Sequence, residues 1–194
     1  MDLRLELPFK GDRNYLHGTD IHDAVRDAVR NRWGEAEAVD LSFHRLARHA
    51  LRLRDEAPAQ EAMAVCRCRA GGGARQLWVV ETEEPVQGRR PYDEEAVVAP
   101  MQVDHDRRVA VLDGDRARTD IETWVAMTKR LHQLALPDLR GRWLFVRARL
   151  PRFGGAGGPA RREIRIAAVL GNRLTRNELL LDGKPAGEIY FALD

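Results

Sequence analysis

The residues best suited to proton transfer lie near the N-terminus, where Asp12 and His17 share one short polar segment that precedes a helical pattern. A carboxylate and an imidazole are side chains that enzymes often use to move protons to and from water or carbon. The same residue types also hydrogen bond to nearby backbone groups in ordinary loops. The residues alone therefore leave two interpretations open, an acid–base pair or a locally satisfied polar loop.

A metal site is a second possibility in the same region, because His17, Asp20, His22 and Asp23 lie close together in the sequence. Nothing nearby supplies a clear third and fourth ligand once helix capping and solvent-facing positions are taken into account. We therefore predict no metal site. No cofactor is predicted either.

Arginines cluster around a glycine-rich segment in the C-terminal half, at Arg147, Arg149, Arg152, Arg161 and Arg162. They could bind the phosphates of a carrier molecule, bind nucleic acid, or form a solvated basic edge. A sheet that binds nucleic acid usually carries exposed aromatic residues on its surface in addition to basic ones. Trp143 and Phe145 are interpreted as core or interface residues instead, so nucleic acid is the less favoured partner.

The composition is that of a globular protein. The chain has 194 residues, of which 44% are apolar and 32% charged, and its net charge of +2 does not imply steering toward nucleic acid or membranes. Cys66 and Cys68 are too few for a structural zinc site and are interpreted as buried, reduced thiols. The sequence shows no signal peptide and no apolar stretch of membrane-spanning length, so a cytoplasmic protein without a membrane segment is expected.

The elements that would position Asp12 and His17 are a strand and a helix. Leu3, Leu5 and Leu7 alternate with charged residues, which indicates a half-buried strand ended by Pro8. Apolar residues then recur at helical spacing from Ile21 to Trp33. Thr19 or Asp20 is expected to cap the start of this helix and Gly34 to end it.

The remainder of the chain is dominated by strand patterns. The stretch from Val39 to Leu53 predicts one long strand or a bent pair, with Arg45 and His49 on its apolar face unless a bulge rotates them out. Further predicted strands cover 62–69, 76–83, 97–103, 107–112, 143–150, 163–170, 173–181 and 188–193. The glycines at 71–73 and the pair Asp182-Gly183 predict tight hairpin turns.

A second amphipathic helix is predicted after residue 119. Thr119 and Glu122 form a capping-box pattern, apolar residues follow at helical spacing, and Pro137 lies just beyond the end. The order strand, helix, strands therefore occurs twice. These patterns predict a single α+β domain over 1–194, or two similar halves of about 1–104 and 105–194, in which antiparallel sheet packs against each helix.

This order of elements resembles the hotdog fold, in which an antiparallel sheet wraps a central helix. Two halves in one chain would make a compact double hotdog. The stretch from Val39 to Leu51 resembles the strand after the hotdog helix in acyl dehydratases and thioesterases. The stretch from Leu181 to Ile189 is similar to the final hairpin of those families.

The segment Gly11-Asp12-Arg13-Asn14-Tyr15-Leu16-His17 resembles the Gly-Asp-x-Asn-Pro-Leu-His signature of (R)-specific enoyl-CoA hydratases, from which it departs at Tyr15. The resemblance implies that Asp12 and His17 are the catalytic pair. It also implies a substrate-binding role for Asn14, and a backbone N–H of Gly18 or Thr19 that holds the thioester oxygen.

A rival alignment is also open. The stretch from Gly18 to Asp23 resembles the start of the helix in acyl-carrier-protein dehydratases, which places Asp23 at the position of their acidic residue. In that alignment the partner histidine falls at Phe9, which cannot transfer a proton. The two alignments assign different catalytic residues.

The resemblance implies an enzyme that hydrates or dehydrates acyl thioesters. The expected partners are acyl-CoA or acyl carrier protein, with Arg149 and Arg152 as candidate contacts to the carrier phosphates, and a homodimer is expected. The alternatives are a non-catalytic hotdog-like protein that binds an acyl group or a partner, and a basic module for nucleic acid.

Overall fold

The computed structural model describes residues 1–114, 118–154 and 160–194. It divides into two units, Met1–Tyr92 with Pro151–Phe153, and Asp93–Leu150 with Gly154–Asp194. Each unit contains one helix of 16 residues and antiparallel strands. The α+β class predicted from the sequence is therefore confirmed.

The first unit has its long helix early in the chain. Its elements are β1 (Asp2–Leu5), β2 (Phe9–Lys10), α1 (Gly18–Trp33), β3 (Glu37–Phe43), β4 (His49–Arg54), β5 (Ala64–Ala70), β6 (Gly73–Pro85) and β7 (Arg89–Arg90). Antiparallel pairing gives the strand order β1-β4-β6-β5-β3. The two short strands β2 and β7 form a separate parallel pair, which joins the segment before α1 to the segment after β6.

The helix α1 packs on this sheet through Ile21, Val25 and Val29, which are fully buried, and it contacts β5. It ends where predicted, at Gly34, whose φ of 82° is readily adopted only by glycine. The predicted start is wrong, because His17 occupies the capping position. Thr19 and Asp20 lie inside the first turn, where their buried side chains contact other elements.

Of the two alternatives predicted for Val39 to Leu53, the single long strand is wrong, because the structure has two strands there, β3 and β4. The strand β3 pairs with β5, whereas β4 lies between β1 and β6, so the two are not neighbours in the sheet. Arg45 lies in the break between them and His49 is the first residue of β4, and both are exposed. The hairpin predicted at 71–73 is confirmed by the pairing of Ala70 with Gly73.

The second unit holds the other long helix and the C-terminal strands. Its elements are α2 (Glu94–Val98), β8 (Gln102–Asp104), β9 (Val109–Asp113), α3 (Asp120–Ala135), β10 (Trp143–Arg152), β11 (Arg161–Leu170), β12 (Leu174–Leu181) and β13 (Lys184–Leu193). The last two residues of β10 belong to the first unit. The strand order is β10-β13-β12-β11-β9-β8, with antiparallel pairing throughout.

The sequence predicts most of this unit correctly. Thr119 caps α3 by accepting a hydrogen bond from the Glu122 amide, as the capping-box pattern indicates. The turn at Asp182-Gly183 has positive φ at both residues, 50° and 75°, as expected for a tight hairpin. The expected strand at Val97 and Val98 is instead the end of α2, which packs against α3. Most of the glycine-rich segment before β11, residues 155–159, lies outside the described residues.

Candidate acid–base site

A cluster of buried polar side chains lies at the start of α1. Lys10, in β2, places its Nζ 3.1 Å from Oδ1 of Asp20 and 3.5 Å from Oγ1 of Thr19. Lys10 is 1% exposed, Thr19 0% and Asp20 6%. A buried ammonium group requires a counter-ion, and Asp20 provides it.

His17 is connected to this cluster through Thr19. Its Nδ1 lies 2.6 Å from Oγ1 of Thr19, and Thr19 in turn lies 3.5 Å from Oδ1 of Asp20. The hydroxyl of Thr19 donates its proton to the carboxylate of Asp20, so it acts as an acceptor toward His17 and receives a hydrogen bond from Nδ1–H. This arrangement favours the tautomer of His17 in which Nε2 is the basic nitrogen, which is the state that a general base requires.

A short segment covers the cluster, and we call it the strap (Gly88–Tyr92). Arg90 donates from Nη2 to Oδ1 of Asp20 at 2.5 Å, although its own side chain is 48% exposed. The Tyr92 ring lies over Nζ of Lys10, 4.2 Å from its centroid, and its centroid is 6.0 Å from that of the His17 ring. The strap is held by the pairing of β2 with β7 and by hydrogen bonds from Arg89 to backbone carbonyls of the loop before α1.

The residues predicted from the hydratase signature differ in burial and in their contacts. His17 is buried, 6% exposed, and contacts Thr19. Asp12 and Asn14 are exposed on the loop between β2 and α1, and Gly18 is half-buried at the start of the helix. Of the predicted residues, the cluster therefore brings together His17 and Thr19.

Asp23, from the rival alignment, lies on the next turn of α1. Its Oδ1 is 3.1 Å from Nδ1 of His22 and 2.8 Å from Nη1 of Arg26. His22 is fully buried and meets the ring of Phe153 edge-on at 5.2 Å. No hydrogen-bond partner for Nε2 of His22 is found among the described residues.

The two arginines predicted to contact the carrier belong to different units. Arg149 lies over the ring of Tyr190 in the second unit, 5.8 Å from its centroid. Arg152 belongs to the first unit, is 73% exposed, and approaches Glu37 at 3.8 Å. It lines a cavity of about 410 Å³ that is also lined by Arg69 and the glycines of the β5–β6 turn.

Sequence reasoning missed Lys10, Arg90 and the role of Asp20. One signal was available, because Thr19-Asp20-Ile21 at the start of α1 recurs as Thr119-Asp120-Ile121 at the start of α3. In the second unit, Asp120 likewise pairs with a buried cation, since Nη2 of Arg162 lies 2.7 Å from its Oδ1. Asp120 is 6% and Arg162 1% exposed.

A third buried histidine, His132, lies in the core of the second unit. Nε2 of His132 is 3.1 Å from Oδ1 of Asn177 and 3.0 Å from Oγ1 of Thr175, and all three residues are 0% exposed. Burial lowers the pKa of His132 to about 4, although the hydrogen bond to Asn177 opposes this shift. The ring packs against Trp143, with 4.4 Å between centroids, so Trp143 is a core residue as predicted.

Three other features of the described residues bear on function. No group of three or more His, Cys, Asp or Glu side chains in 1–114, 118–154 and 160–194 is arranged to hold a metal ion. Cys66 and Cys68 are free and buried. No helix in the described part of the chain has the length and apolar character needed to cross a bilayer.

Comparison of the sequence with protein-family models and with curated proteins finds no match. Comparison of the structure does find similar folds. The dehydratase domain of PpsC from Mycobacterium tuberculosis, solved in complex with C12:1-CoA, has a TM-score of 0.53 and 16% identity over 100% of this chain and 92% of that one. A tesB protein from Mycobacterium avium subsp. paratuberculosis has a TM-score of 0.53 and 11% identity over 93% and 88% of the two chains.

A third structure is similar over almost the full length. The pyran synthase domain from module nine of the sorangicin pathway has a TM-score of 0.50 and 15% identity, over 99% of this chain and 92% of that one. At such low identities the likeness concerns the fold alone. It confirms the hotdog-like α+β fold, and coverage of the whole chain agrees with the double form, in which each unit supplies one helix and its sheet.

Proposed function

We propose that this protein hydrates or dehydrates acyl thioesters, with His17 as the group that transfers the proton. The observation that carries the proposal is the position of His17, at the start of α1 and in contact with a buried polar cluster. Further support comes from the fold, which covers 92% of a dehydratase domain solved with C12:1-CoA.

The chemistry requires a base for water and an acid for the α-carbon of the thioester. With its proton on Nδ1 directed at Thr19, His17 can accept a proton at Nε2 from water and later return it. In the reverse direction the same nitrogen can remove the α-proton. The hydrogen bond to Thr19 holds the ring in the tautomer that both directions need.

The thioester oxygen gains charge as the reaction proceeds, and the first turn of α1 can stabilise that charge. The amides of Asp20 and Ile21 donate to the carbonyl of His17. The preceding amides, of Gly18 and Thr19, begin the helix and have no intrahelical acceptor. They can donate to the oxygen at the positive end of the helix dipole.

The two alignments of the sequence propose different catalytic carboxylates. One pairs Asp12 with His17, and the other selects Asp23 but places its partner histidine at Phe9. Asp12 lies in the exposed loop before α1 and can reach a substrate only if this loop turns toward it. Asn14, on the same loop, would move with Asp12. Asp23 is already held by Arg26 on α1. Arg149 and Arg152 remain candidates for the carrier phosphates, and a homodimer remains the expected assembly.

The test is turnover of a trans-2-enoyl-CoA or a 3-hydroxyacyl-CoA, followed by the absorbance of the conjugated thioester. We expect His17→Gln to lower kcat by about 100-fold or more, as for loss of a general base. Asp12→Asn and Asp23→Asn decide between the two alignments, since only the catalytic carboxylate should lower kcat. If wild-type protein shows no turnover of either substrate, or releases free thiol instead, the hydratase proposal is wrong.

A non-catalytic acyl-binding protein is the second candidate. The observation that favours it is the closure of the cluster, in which Lys10 and Thr19 are almost wholly buried. Such a protein should retain an acyl group or acyl carrier protein through purification. Native mass spectrometry of the purified protein, together with an absence of turnover, would favour this function over the enzymatic one.

A further inference from the structure

Cys66 and Cys68 form a pair of neighbouring thiols inside the first unit. Both lie on β5, and because residues two apart on a strand project to the same face, both face the interior, where they are 0% and 4% exposed. The two thiols hydrogen bond to each other. Neither is part of a disulfide. The first unit therefore holds two sulfur atoms in contact with no covalent bond between them.

Arg75 supplies a positive charge beside this pair. It lies directly opposite Cys68 in the pairing of β5 with β6. Its Nε donates to the carbonyl of Ala70 at 3.2 Å and its guanidinium lies over the ring of Trp33, but among the described residues it has no carboxylate partner. The hydrogen bond to Cys66 lowers the pKa of Cys68, and the charge of Arg75 lowers it as well, whereas burial opposes the shift. An uncompensated cation is thus in place for negative charge on the sulfur atoms.

We propose that Cys66 and Cys68 together bind one soft monovalent cation, of the class of Cu(I) or Ag(I), which takes the place of the proton between the two sulfur atoms. Thiolate sulfur is the ligand type that such an ion selects, and two thiolates in a line suffice for it. Zinc requires four ligands, and no group of three or more His, Cys, Asp or Glu side chains in the described part of the chain could provide them. Binding releases the thiol protons, and the complex carries one negative charge, which Arg75 balances.

A direct disulfide is the competing use of two thiols. Residues two apart on a strand have Cα atoms about 6.6 Å apart, and their Cα–Cβ bonds are nearly parallel. This separation is close to the upper limit of the range that disulfides adopt. A cation between the two sulfur atoms tolerates the spacing, because two metal–sulfur bonds separate the sulfurs further than one sulfur–sulfur bond does.

The neighbouring strand β3 is irregular where it passes Cys68. The pairing of β3 with β5 shifts register between Glu37 and Asp40, which places two residues of β3 opposite Cys68. One of them is Ala38, whose φ of 51° is uncommon for a residue other than glycine. Ala38, Cys68 and Arg75 are among the residues that line a cavity of about 310 Å³. A bulge interrupts the ladder of hydrogen bonds, so local opening here admits an ion while the rest of the sheet stays paired.

The experiment titrates the reduced protein with Cu(I) without oxygen, against bicinchoninate as a competing chelator. We expect one Cu(I) per chain and an ultraviolet band from charge transfer between sulfur and copper. Cys66→Ala and Cys68→Ala should each weaken binding by about 100-fold or more, because loss of a ligand costs more than loss of an outer partner. Arg75→Gln should weaken it by about 10-fold. Arg67→Gln, an exposed arginine of β5, is the matched control and should leave the affinity unchanged.

The inference uses none of the residues of the acid–base site, so it stands or falls independently of the proposed function. It is wrong if bicinchoninate retains all the Cu(I), or if the Cys66→Ala/Cys68→Ala double variant binds Cu(I) as tightly as the wild-type protein. Displacement of Cu(I) by an equal amount of Zn(II) would also overturn it. If the variants do not fold, X-ray absorption of the wild-type protein with Cu(I) still decides, because two sulfur ligands are expected and any other coordination contradicts the site.

Discussion

Lys10 and Arg90 share one oxygen of Asp20, Lys10 from 3.1 Å inside the fold and Arg90 from 2.5 Å at its surface. The two cations differ in exposure, since the side chain of Lys10 is 2% exposed and that of Arg90 48%. Lys10 is therefore the structural partner of the carboxylate, and Arg90 is the partner that solvent can replace. This difference leads to separate predictions for the two residues.

Replacing Lys10 should destabilise the protein strongly. Lys10→Met keeps the length of the side chain but leaves Asp20 with one half-exposed cation. Removing one partner of a buried ion pair costs about 3–5 kcal/mol in the free energy of unfolding. Urea denaturation of Lys10→Met measures this loss. The same substitution at the exposed Lys184 is the control and should change the free energy of unfolding by less than about 0.5 kcal/mol. Equal effects at the two positions would show that the pair contributes nothing.

The sequence predicts α3 well and the Lys10 cluster poorly, for one physical reason. The cap of α3 depends on Thr119 and Glu122, which are only three positions apart in the sequence and recognisable as a pattern. The environment of Asp20 depends on Arg90, which is 70 positions away in the sequence. An aspartate before an apolar helical pattern is usually a cap, and nothing local distinguishes a buried one.

The wrong prediction of a strand at Val97 and Val98 has a related cause. Two adjacent valines favour a strand on propensity. Asp93 instead caps a short helix by accepting a hydrogen bond from the Ala96 amide, and Lys129 of α3 pairs with Glu94 at 2.7 Å. Tertiary contacts therefore override the local preference. The hairpin turns were predictable because glycine and Asp-Gly pairs select them without distant partners.

Stability should depend on pH through His132. Because burial lowers its pKa to about 4 in the folded protein, against 6.5 for the unfolded chain, the unfolded state binds more protons between these values. The free energy of unfolding should therefore fall as the pH falls from about 6.5 to about 4. A shift of this size corresponds to about 3 kcal/mol.

The measurement is chemical denaturation between pH 7 and pH 4 for the wild-type protein and for His132→Gln. Glutamine retains an N–H donor that can approach Asn177 but does not titrate. Carboxylates titrate in the same range in both proteins, so the difference between the two curves isolates the histidine. Parallel curves would mean that His132 is not the group responsible.

Arg90→Gln should loosen the strap without unfolding the protein. The variant loses one charge-assisted hydrogen bond to Asp20, and because the side chain is half-exposed we expect a loss of only about 1 kcal/mol. His17 should then react faster with a histidine-acylating reagent. Peptide mass spectrometry measures the rate at His17. Arg69→Gln, at an exposed position of β5, is the control and should leave that rate unchanged. A rate unaltered by Arg90→Gln would show that the strap does not shield His17.

Locking the strap should block ligand binding. A Cβ placed on Gly88 would lie 4.0 Å from Cβ of Pro8, within the range of about 3.5–4.5 Å that a disulfide requires. In the Pro8→Cys/Gly88→Cys variant, oxidation should tie the strap to the segment before β2. Lys10, His17 and Thr19 are buried, Arg90 of the strap contacts Asp20, and the Tyr92 ring lies over Nζ of Lys10. We therefore expect a ligand to displace the strap when it reaches these side chains.

The oxidised double variant should therefore bind octanoyl-CoA at least about 10-fold more weakly than the reduced form, and a reductant should restore binding. Each single variant is a control for the cysteines themselves. The Gly88→Cys control matters most, because φ at this position is 79° and a side chain there is strained. Cys66 and Cys68 are buried and present in every variant, so they cancel in the comparison. Equal affinity in the oxidised and reduced forms would mean that ligands reach the cluster by a route that leaves the start of the strap in place.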